Sequence, residues 1–297
     1  MGDETKKPTS GDDEDWNYTG PNASIMWPLH YPDAGGEKQS PINLVSMDAI
    51  HDASLEQTPL QFHYEADGDW ELCNGGNLLN VTYKAASGDS YFSGGVPNSD
   101  YKPALSGGPL PNGHEFTLAD LRMHWGKDGS KGSEHTVNGK AFPMEVHLVH
   151  WNSTLYRSLG AAIGKENGIA IIVIFVQVGR EHSGLKRITD NLHEVQYKDR
   201  KYNISEFDPS WLLPDPMLRD YWVYEGSLTT PPCSENTTWV IFRYPLTSSH
   251  SQMEEFRRLL TYPKGGSPST GVDANLVDNF RPAHPLNNRV IRASFPV

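Results

Sequence analysis

The longest uninterrupted apolar run in this 297-residue chain is Gly168–Val176, with the sequence GIAIIVIFV. It is far shorter than the roughly 20 residues that a membrane-spanning helix needs. Its β-branched residues favour a strand, and a strand without a polar face must be covered on both sides. The run therefore predicts an interior strand of a large sheet, in a chain that does not insert into a membrane.

Other segments also have the residue pattern of strands. The predicted core strands are Leu78–Tyr83, His114–Trp125, Ala141–Trp151, Gly168–Val178 and Thr238–Arg243. Helical patterns are fewer: Ser153–Ile163, His182–Gln196 and Ser251–Leu260. Many strands with few short helices predict a mainly β (α+β) domain built on one large sheet.

Composition and charge exclude several classes of protein. The chain has 8 Trp, 13 Tyr and 10 Phe, which is more aromatic surface than a disordered chain carries. The net charge of −12 repels phosphate backbones, so we expect no nucleic-acid partner. We predict a disordered acidic tail over residues 1–14 and one domain over residues 15–297. The N-terminus lacks the apolar stretch of a secretion signal, so we expect a cytoplasmic protein. We also expect a monomer.

Two histidines fall on strands where they could converge. Alternation places Arg122 and His124 on one face of their strand, and His147 on one face of another. A catalytic zinc needs three protein ligands and an open position for water. A guanidinium has five donors, no free lone pair and a pKa above 12, so Arg122 cannot be the third ligand. Its charge would also repel a dication.

Five strings identify a family that this sequence resembles. They are QSPINL (39–44), GSEHTVNGK (132–140), MEVHLVHWN (144–152), YWVYEGSLTTPPCSE (221–235) and NFRP (279–282). These strings resemble α-class carbonic anhydrases, from about residue 15 to the end of the chain. The resemblance implies the α-carbonic anhydrase fold, a large, mostly antiparallel, twisted central sheet with short flanking helices.

The resemblance also implies that the metal site is degenerate. Active members hold zinc with three histidines; this sequence keeps the second and third, His124 and His147, and has Arg122 at the first position. Arg122, the acidic tail, LPDPMLRDYWVYEGSL and NRVIRASF resemble the acatalytic branch VIII of the family. That branch implies no bound metal or cofactor, a cytoplasmic location, and binding to the type 1 inositol trisphosphate receptor, whose ligand affinity it reduces.

Several residues around the metal position match the family. By resemblance, Glu145 and Asn279 belong to the shell around the zinc ligands, with Glu145 orienting the third. The resemblance also implies that Glu134 accepts a hydrogen bond from the Thr229 hydroxyl and that Thr230 belongs to the bicarbonate pocket. Five residues would form the walls of the carbon dioxide pocket: Val149, Ile171, Leu228, Thr237 and Trp239.

Other positions depart from active members. Ile171 and Thr237 stand where valine is usual. Asn77 stands where the fastest members have a histidine proton shuttle, and asparagine does not titrate at a useful pH. Asp120 stands where a glutamine usually bonds the first zinc histidine, and an anion here suits Arg122.

A buried, unpaired guanidinium would be costly. We therefore predict that Asp120 holds Arg122 in the former zinc cavity, with Glu134 or Glu145 as additional partners.

The cysteines have two possible states. Cys73 and Cys233 could form one bridge at most. By resemblance, Cys233 stands where secreted family members place half of a disulfide, whose other half would lie near residues 32–36, where this sequence has no cysteine. Two free thiols in a reducing compartment is the interpretation we favour.

Three hypotheses of function follow. The first is a non-enzymatic regulatory protein that uses a carbonic anhydrase fold as a binding body. The second is a zinc-dependent carbonate dehydratase that binds metal through His124, His147 and a substitute ligand, Glu145 or Asp120. The third is an extracellular adhesion or matrix protein, which the missing signal and the missing disulfide partner disfavour.

Overall fold

A computed structural model of the protein describes residues 16–64, 69–84 and 102–297. The predicted acidic tail over residues 1–14 lies outside these ranges. The strands are β1 Asn43–Leu44, β2 Ile50–His51, β3 Gln61–His63, β4 Asp69–Asn74, β5 Leu79–Lys84, β6 Ala104–Ser106, β7 Phe116–Trp125, β8 Thr136–Val137, β9 Met144–Asn152, β10 Ile169–Val178, β11 Arg200–Ile204, β12 Tyr221–Ser227, β13 Glu235–Phe242, β14 Leu246–Ser248 and β15 Arg292–Ala293.

Helices are short throughout the described residues. The α-helices are α1 Trp27–His30, α2 Ser54–Gln57, α3 Leu159–Ala162, α4 Ser183–Thr189 and α5 His250–Arg257. Single 3₁₀ turns occupy Gly20–Asn22, Ser24–Met26, Pro32–Gly35, Ser46–Asp48, Leu192–Val195, Pro209–Leu212 and Pro216–Leu218. No helix in the described ranges is long and apolar enough to cross a membrane.

One large sheet organises the molecule, in the order β11-β4-β5-β7-β9-β10-β13-β12-β15-β2. Most neighbours are antiparallel, but β10 pairs in parallel with β13 near the centre. The last two strands, β15 and β2, are also parallel. This architecture confirms the predicted mainly β fold and its mostly antiparallel sheet.

The apolar run forms an interior strand, as predicted. Strand β10 lies between β9 and β13, and its residues from Ile169 to Val176 are all buried. Core packing on both faces of the sheet explains why this strand has no polar alternation.

Two predicted helices are shorter than their sequence patterns. In the segment 153–163, only Leu159–Ala162 is helical; before it, the Asn152 side chain accepts a hydrogen bond from the Leu155 amide and forms a turn instead. In the segment 182–196, the helix ends at Thr189. There the Asn191 side chain donates to the Arg187 carbonyl at 2.8 Å and satisfies a group at the helix end. The third helix, α5, agrees well with its pattern and begins with a capping box at Ser249.

The antiparallel pairing of β7 with β9 positions the candidate site. Arg122 lies opposite His147, and His124 lies opposite Glu145. A register shift near Asp120 accommodates one extra residue in β7. Opposite residues of an antiparallel pair project from the same face, so these side chains share one side of the sheet.

The opposite face of β9 contains another buried histidine. His150 is out of phase with His147, and its Nε2 atom hydrogen-bonds the Tyr64 hydroxyl. Burial lowers the pKa of His150 to about 3. This residue is therefore neutral in the folded protein at neutral and mildly acidic pH.

The buried neutral His150 should make stability fall in mild acid. An unfolded histidine titrates at about 6.5, so below that pH the unfolded chain takes up a proton that folded His150 does not accept. This difference lowers the unfolding free energy by about 1.4 kcal/mol per pH unit as the pH falls toward the folded pKa. We expect His150→Gln to remove about this slope between about pH 6 and about pH 4, measured by urea denaturation. The exposed His193→Gln is the matched control and should leave the slope unchanged; equal slopes for His150→Gln and wild type would contradict the assignment.

Candidate functional site

Arg122 is fixed by a neighbouring carboxylate on its own strand. Its Nε donates to Asp120 Oδ1 at 2.9 Å, and a terminal nitrogen donates to Asp120 Oδ2 at 3.3 Å. The side chain of Asp120 is fully buried, and that of Arg122 is 13% exposed. Burial disfavours the Arg122 charge, but Asp120 more than offsets this and raises the Arg122 pKa. The guanidinium is therefore held, charged, on the histidine-bearing face of the sheet.

The further partner of Arg122 differs from the prediction. Its other terminal nitrogen donates to the Thr230 hydroxyl at 3.1 Å. The prediction that Glu134 or Glu145 would take this role is wrong: within the described residues, both carboxylates make their hydrogen bonds elsewhere. A hydroxyl suffices here because Asp120 already supplies the countercharge.

His124 and His147 converge as the strand pattern predicted, with ring centroids 4.5 Å apart. His124 donates from Nδ1 to the Asn279 carbonyl oxygen at 2.8 Å, and its buried Nε2 has no hydrogen-bond partner among the described residues. His147 donates from Nε2 to Glu145 Oε1 at 2.6 Å. These hydrogen bonds fix the tautomer of each ring and leave its second nitrogen unprotonated.

The histidine pair is neutral. Burial, followed by the nearby His147, lowers the pKa of His124 well below its usual range. Burial also lowers the pKa of His147, although Glu145 opposes the shift. Two neutral imidazoles with bare nitrogens are chemically able to bind a cation.

Asn279 holds the end of β7 in place. Its side-chain oxygen accepts from the Trp125 amide at 2.7 Å, and its side-chain nitrogen donates to the Met123 carbonyl at 3.0 Å. Together with the carbonyl that binds His124, Asn279 contacts three successive residues of the strand. It therefore positions the His124 ring.

Glu145 is the centre of a buried polar network. His135 donates to it at 2.7 Å from Nδ1, and the His135 amide donates at 2.8 Å. Behind His135, the Tyr224 hydroxyl lies 2.7 Å from its Nε2 and 2.7 Å from the Ser40 hydroxyl. Burial alone would raise the pKa of Glu145, but His135 and His147 lower it below its usual range.

Sequence analysis missed three members of this network. Ser40, His135 and Tyr224 all lie inside the strings that carry the family resemblance. A signal was thus present in the sequence. Their partners are distant in the chain, however, and no local spacing joins Ser40 to Tyr224.

Glu134 is a second buried carboxylate beside the histidines. Its Oε1 accepts from the Arg281 amide at 2.8 Å. Burial and the charge of Glu145 raise the pKa of Glu134 well above its usual range, against the opposing effect of the Thr229 hydroxyl. Glu134 therefore favours its protonated form, whereas the neighbouring Glu145 favours its ionised form.

Three of the predicted wall residues align across neighbouring strands of the sheet. Ile171 on β10 lies opposite Val149 on β9 and Trp239 on β13, so the three form one row. Thr237 lies two positions before Trp239, and Leu228 directly follows β12; both are buried. The row of Val149, Ile171 and Trp239 continues onto β7, where Asp120 lies opposite Val149.

Asn77 lies apart from this row, in the turn between β4 and β5. Its side-chain nitrogen donates to the Trp16 carbonyl at 3.1 Å. It lines a cavity of about 80 Å³ together with Trp16, Gly76 and Lys198. The bonded amide holds the N-terminal segment in place.

Two overlapping groups of side chains could hold a cation. His124, Glu134 and His147 place ligand atoms within 4.8 Å of one another, and so do His135, Glu145 and His147. In the second group, both histidines already use nitrogens to bind Glu145. The first group is therefore the better candidate, but it lies beside the charged Arg122.

Both cysteines are free thiols, as favoured from the sequence. Cys73 lies on β4, and Cys233 is fully buried in a small cluster with Tyr18, Trp27 and Ala34. Burial raises the pKa of Cys233 to about 12, so this thiol is unreactive near neutral pH.

A large, mostly antiparallel sheet with a buried cluster of histidines and glutamates on one face is typical of the carbonic anhydrase class. Residues 20–295 match the family described as eukaryotic-type carbonic anhydrase, and the chain belongs to this family. It is 53% identical over 281 residues to a carbonic anhydrase-related protein from Homo sapiens, covering 95% of this chain and 90% of that protein. The related protein from Rattus norvegicus is 52% identical with the same coverage. Carbonic anhydrase 7 from Mus musculus is 41% identical, covering 94% of this chain and 97% of that enzyme.

The buried Arg122–Asp120 pair should be important for stability. Asp120→Asn leaves a largely buried guanidinium without a countercharge, and we expect a loss of about 3 kcal/mol in unfolding free energy, measured by urea denaturation. Adding Arg122→Gln removes the charge and should recover most of the loss. The exposed pair of Arg243 and Asp220 gives the control: Asp220→Asn should cost less than about 1 kcal/mol. Equal losses for the two single variants would contradict the special role of the buried pair.

Proposed function

We propose that this protein is an acatalytic member of the carbonic anhydrase family that acts as a regulatory binding protein. The observation that carries the proposal is Arg122, held by Asp120 and Thr230 on the face where active members place their first zinc histidine. Zinc in that family is held by three histidines. The residues here do not fit that arrangement, because only His124 and His147 remain.

Electrostatics supports the loss of the metal. Arg122 lies opposite His147 on the neighbouring strand, so its charge is close to any cation bound between the histidines. Asp120 is the countercharge of Arg122 and is not available to a metal. A dication would have to overcome the remaining repulsion with two neutral ligands, at a site of low dielectric constant.

The names of similar proteins point in the same direction. Two relatives that are 53% and 52% identical over 281 aligned residues are called carbonic anhydrase-related proteins. From the family resemblance, we propose the type 1 inositol trisphosphate receptor as partner, a reduction of its ligand affinity as the effect, and the cytoplasm as the location. The net charge of −12 is compatible with a basic docking surface on that receptor.

The receptor proposal is tested by binding. Addition of the purified protein to the ligand-binding region of the receptor should weaken inositol trisphosphate binding in a saturable manner. Arg122→Gln should have the same effect, because the proposed regulatory role does not depend on the chemistry of the pocket. An unchanged ligand affinity at saturating protein would exclude this partner.

The zinc proposal is tested by restoring the missing ligand. Arg122→His provides a third imidazole, and we expect about one zinc per chain by elemental analysis of protein purified without an affinity tag. We also expect measurable, slow carbon dioxide hydration by stopped flow, because Asn77 cannot shuttle protons. Wild type and Arg122→Gln should have neither. An Arg122→His protein without zinc would show that more than Arg122 prevents metal binding.

One observation favours a second candidate function, a zinc-dependent carbonate dehydratase with a substitute ligand. His124, Glu134 and His147 are close enough for their ligand atoms to share one ion. The substitute ligands expected from the sequence were Glu145 and Asp120, but these carboxylates bind histidines and Arg122. Stoichiometric zinc in the wild type that is lost in Glu134→Gln would establish this candidate in place of the first.

A further inference from the structure

Four asparagines of this chain are followed directly by glycine: Asn74, Asn112, Asn138 and Asn167. In such a pair the asparagine side chain can cyclise with the next backbone nitrogen, because glycine has no Cβ to hinder the approach. This is one route by which asparagine is thermolabile. Ring closure needs a side-chain amide that is free to turn and a following backbone nitrogen that is exposed and not hydrogen-bonded. The four sites differ in whether they meet these two conditions.

Asn74 is fixed inside the protein. It is fully buried, and its side-chain nitrogen donates to the carbonyls of Val195 and Leu260 at 3.0 and 3.1 Å. The nitrogen of the next residue, Gly75, donates to the Leu78 carbonyl at 2.9 Å. Neither of the two groups that would form the ring is therefore free.

Asn138 is held by the segment around Ser46. Its side-chain oxygen accepts from the Ser46 amide at 2.9 Å, and its side-chain nitrogen donates to the Ser46 hydroxyl at 2.9 Å. The nitrogen of Gly139 donates to the Asn43 side-chain oxygen at 2.8 Å. Ring closure at Asn138 would have to break all three hydrogen bonds.

Asn167 is exposed, but the backbone nitrogen that follows it is enclosed. Gly168 is buried, and its nitrogen donates to the Lys165 carbonyl at 3.0 Å. The packing is so tight that a Cβ added to Gly168 would lie 2.1 Å from the Ala162 carbonyl oxygen. This site therefore lacks a free nucleophile.

Asn112 meets both conditions. Asn112 and Gly113 are exposed and are the central residues of a turn, which the His114 amide closes by donating to the Pro111 carbonyl at 3.1 Å. Among the described residues, neither the Asn112 side chain nor the Gly113 nitrogen takes part in a hydrogen bond. Gly113 has a φ of +78°, and a Cβ added to it would contact nothing within 4 Å. Both groups are therefore open to water and free to turn.

We propose that Asn112 is a modification site at which the chain loses ammonia and gains a carboxylate. The Gly113 nitrogen gives its proton to a base in the solvent and attacks Asn112 Cγ. A bond forms between this nitrogen and Cγ, and the bond from Cγ to Nδ2 breaks; Nδ2 takes up a proton and leaves as ammonia. Water then opens the cyclic imide at either of its two carbonyl carbons, which leaves aspartate or isoaspartate. Water is the only co-reactant, and no group is oxidised or reduced.

The new charge falls on the wall of a cavity. Asn112, Gly113 and Glu115 line a cavity of about 530 Å³ beside β3 and β6. Among the described residues that line it, Glu115 is the only carboxylate, and none is a lysine or an arginine. Deamidation therefore doubles the number of carboxylates and disfavours anionic ligands in this cavity. The inference goes beyond the proposed function and does not depend on the state of the zinc pocket.

The first test compares the four sites in one sample. The full chain is incubated at mildly alkaline pH, where a backbone amide loses its proton more readily, and peptide mapping by mass spectrometry follows each asparagine. We expect Asn112 to convert at least about fivefold faster than Asn74, Asn138 and Asn167, because the other three must first break native hydrogen bonds. The product should contain isoaspartate, which an isoaspartyl methyltransferase labels. Similar rates at the four sites, or aspartate without isoaspartate, would overturn the proposal.

The unfolded chain is the control for intrinsic reactivity. In concentrated guanidinium chloride no native hydrogen bond holds any of the four asparagines, and glycine follows each of them. We therefore expect their rates to converge. A preference for Asn112 that persists unchanged in the unfolded chain would assign the selectivity to local sequence and would overturn the role of the fold.

Matched variants test the assignment in the folded protein. Asn112→Gln lengthens the side chain by one methylene and disfavours ring closure, so it should remove most of the acidic species that ion-exchange chromatography separates after incubation. Asn167→Gln, at another exposed site, is the control and should leave the accumulation of this species unchanged. Accumulation at the wild-type rate in Asn112→Gln would overturn the proposal.

Discussion

The pairing of β7 with β9 is the constraint on which the site depends. These are two of the most buried strands of the sheet, and each carries charged or titratable side chains on the same face. Because the register places Arg122 opposite His147 and His124 opposite Glu145, four polar groups must coexist in a dry environment. A slip of one residue would move all of them to the other face of the sheet.

Each buried charge in this region has a specific compensation. Asp120 neutralises Arg122, and His135 and His147 share Glu145. Glu134 is compensated differently, because burial raises its pKa and favours the neutral form. Within the part of the chain that the structure describes, the unprotonated nitrogen of His124 has no hydrogen-bond partner. The site therefore has the polarity of a metal-binding site, although the charged Arg122 lies beside the histidine pair.

This arrangement separates the fold from the chemistry that the fold supports in active relatives. The supports around the pocket, such as Asn279 on β7 and the network from Glu145 to Ser40, also stabilise the sheet. They retain that structural role whether or not a metal binds.

Much of the fold was predictable because its signals are local. The apolar run over residues 168–176 determined an interior strand, since no polar face was available for solvent. Alternation predicted the shared faces of His124 and His147, and the inability of a guanidinium to ligate zinc followed from its chemistry. Helix ends were less predictable, because side chains such as Asn191 compete locally for backbone groups.

The sequence by itself thus determined the main strands and the family. Only the tertiary structure decided which groups accept hydrogen bonds from Arg122. Thr230, one of these acceptors, is 108 positions away in the chain, so no local sequence pattern could indicate the contact. The same holds for the contact of Ser40 with Tyr224 and for the closeness of Trp16 to Lys198. The physical reason is that partners of buried polar groups are set by strand register and loop packing, which join residues that no sequence spacing relates.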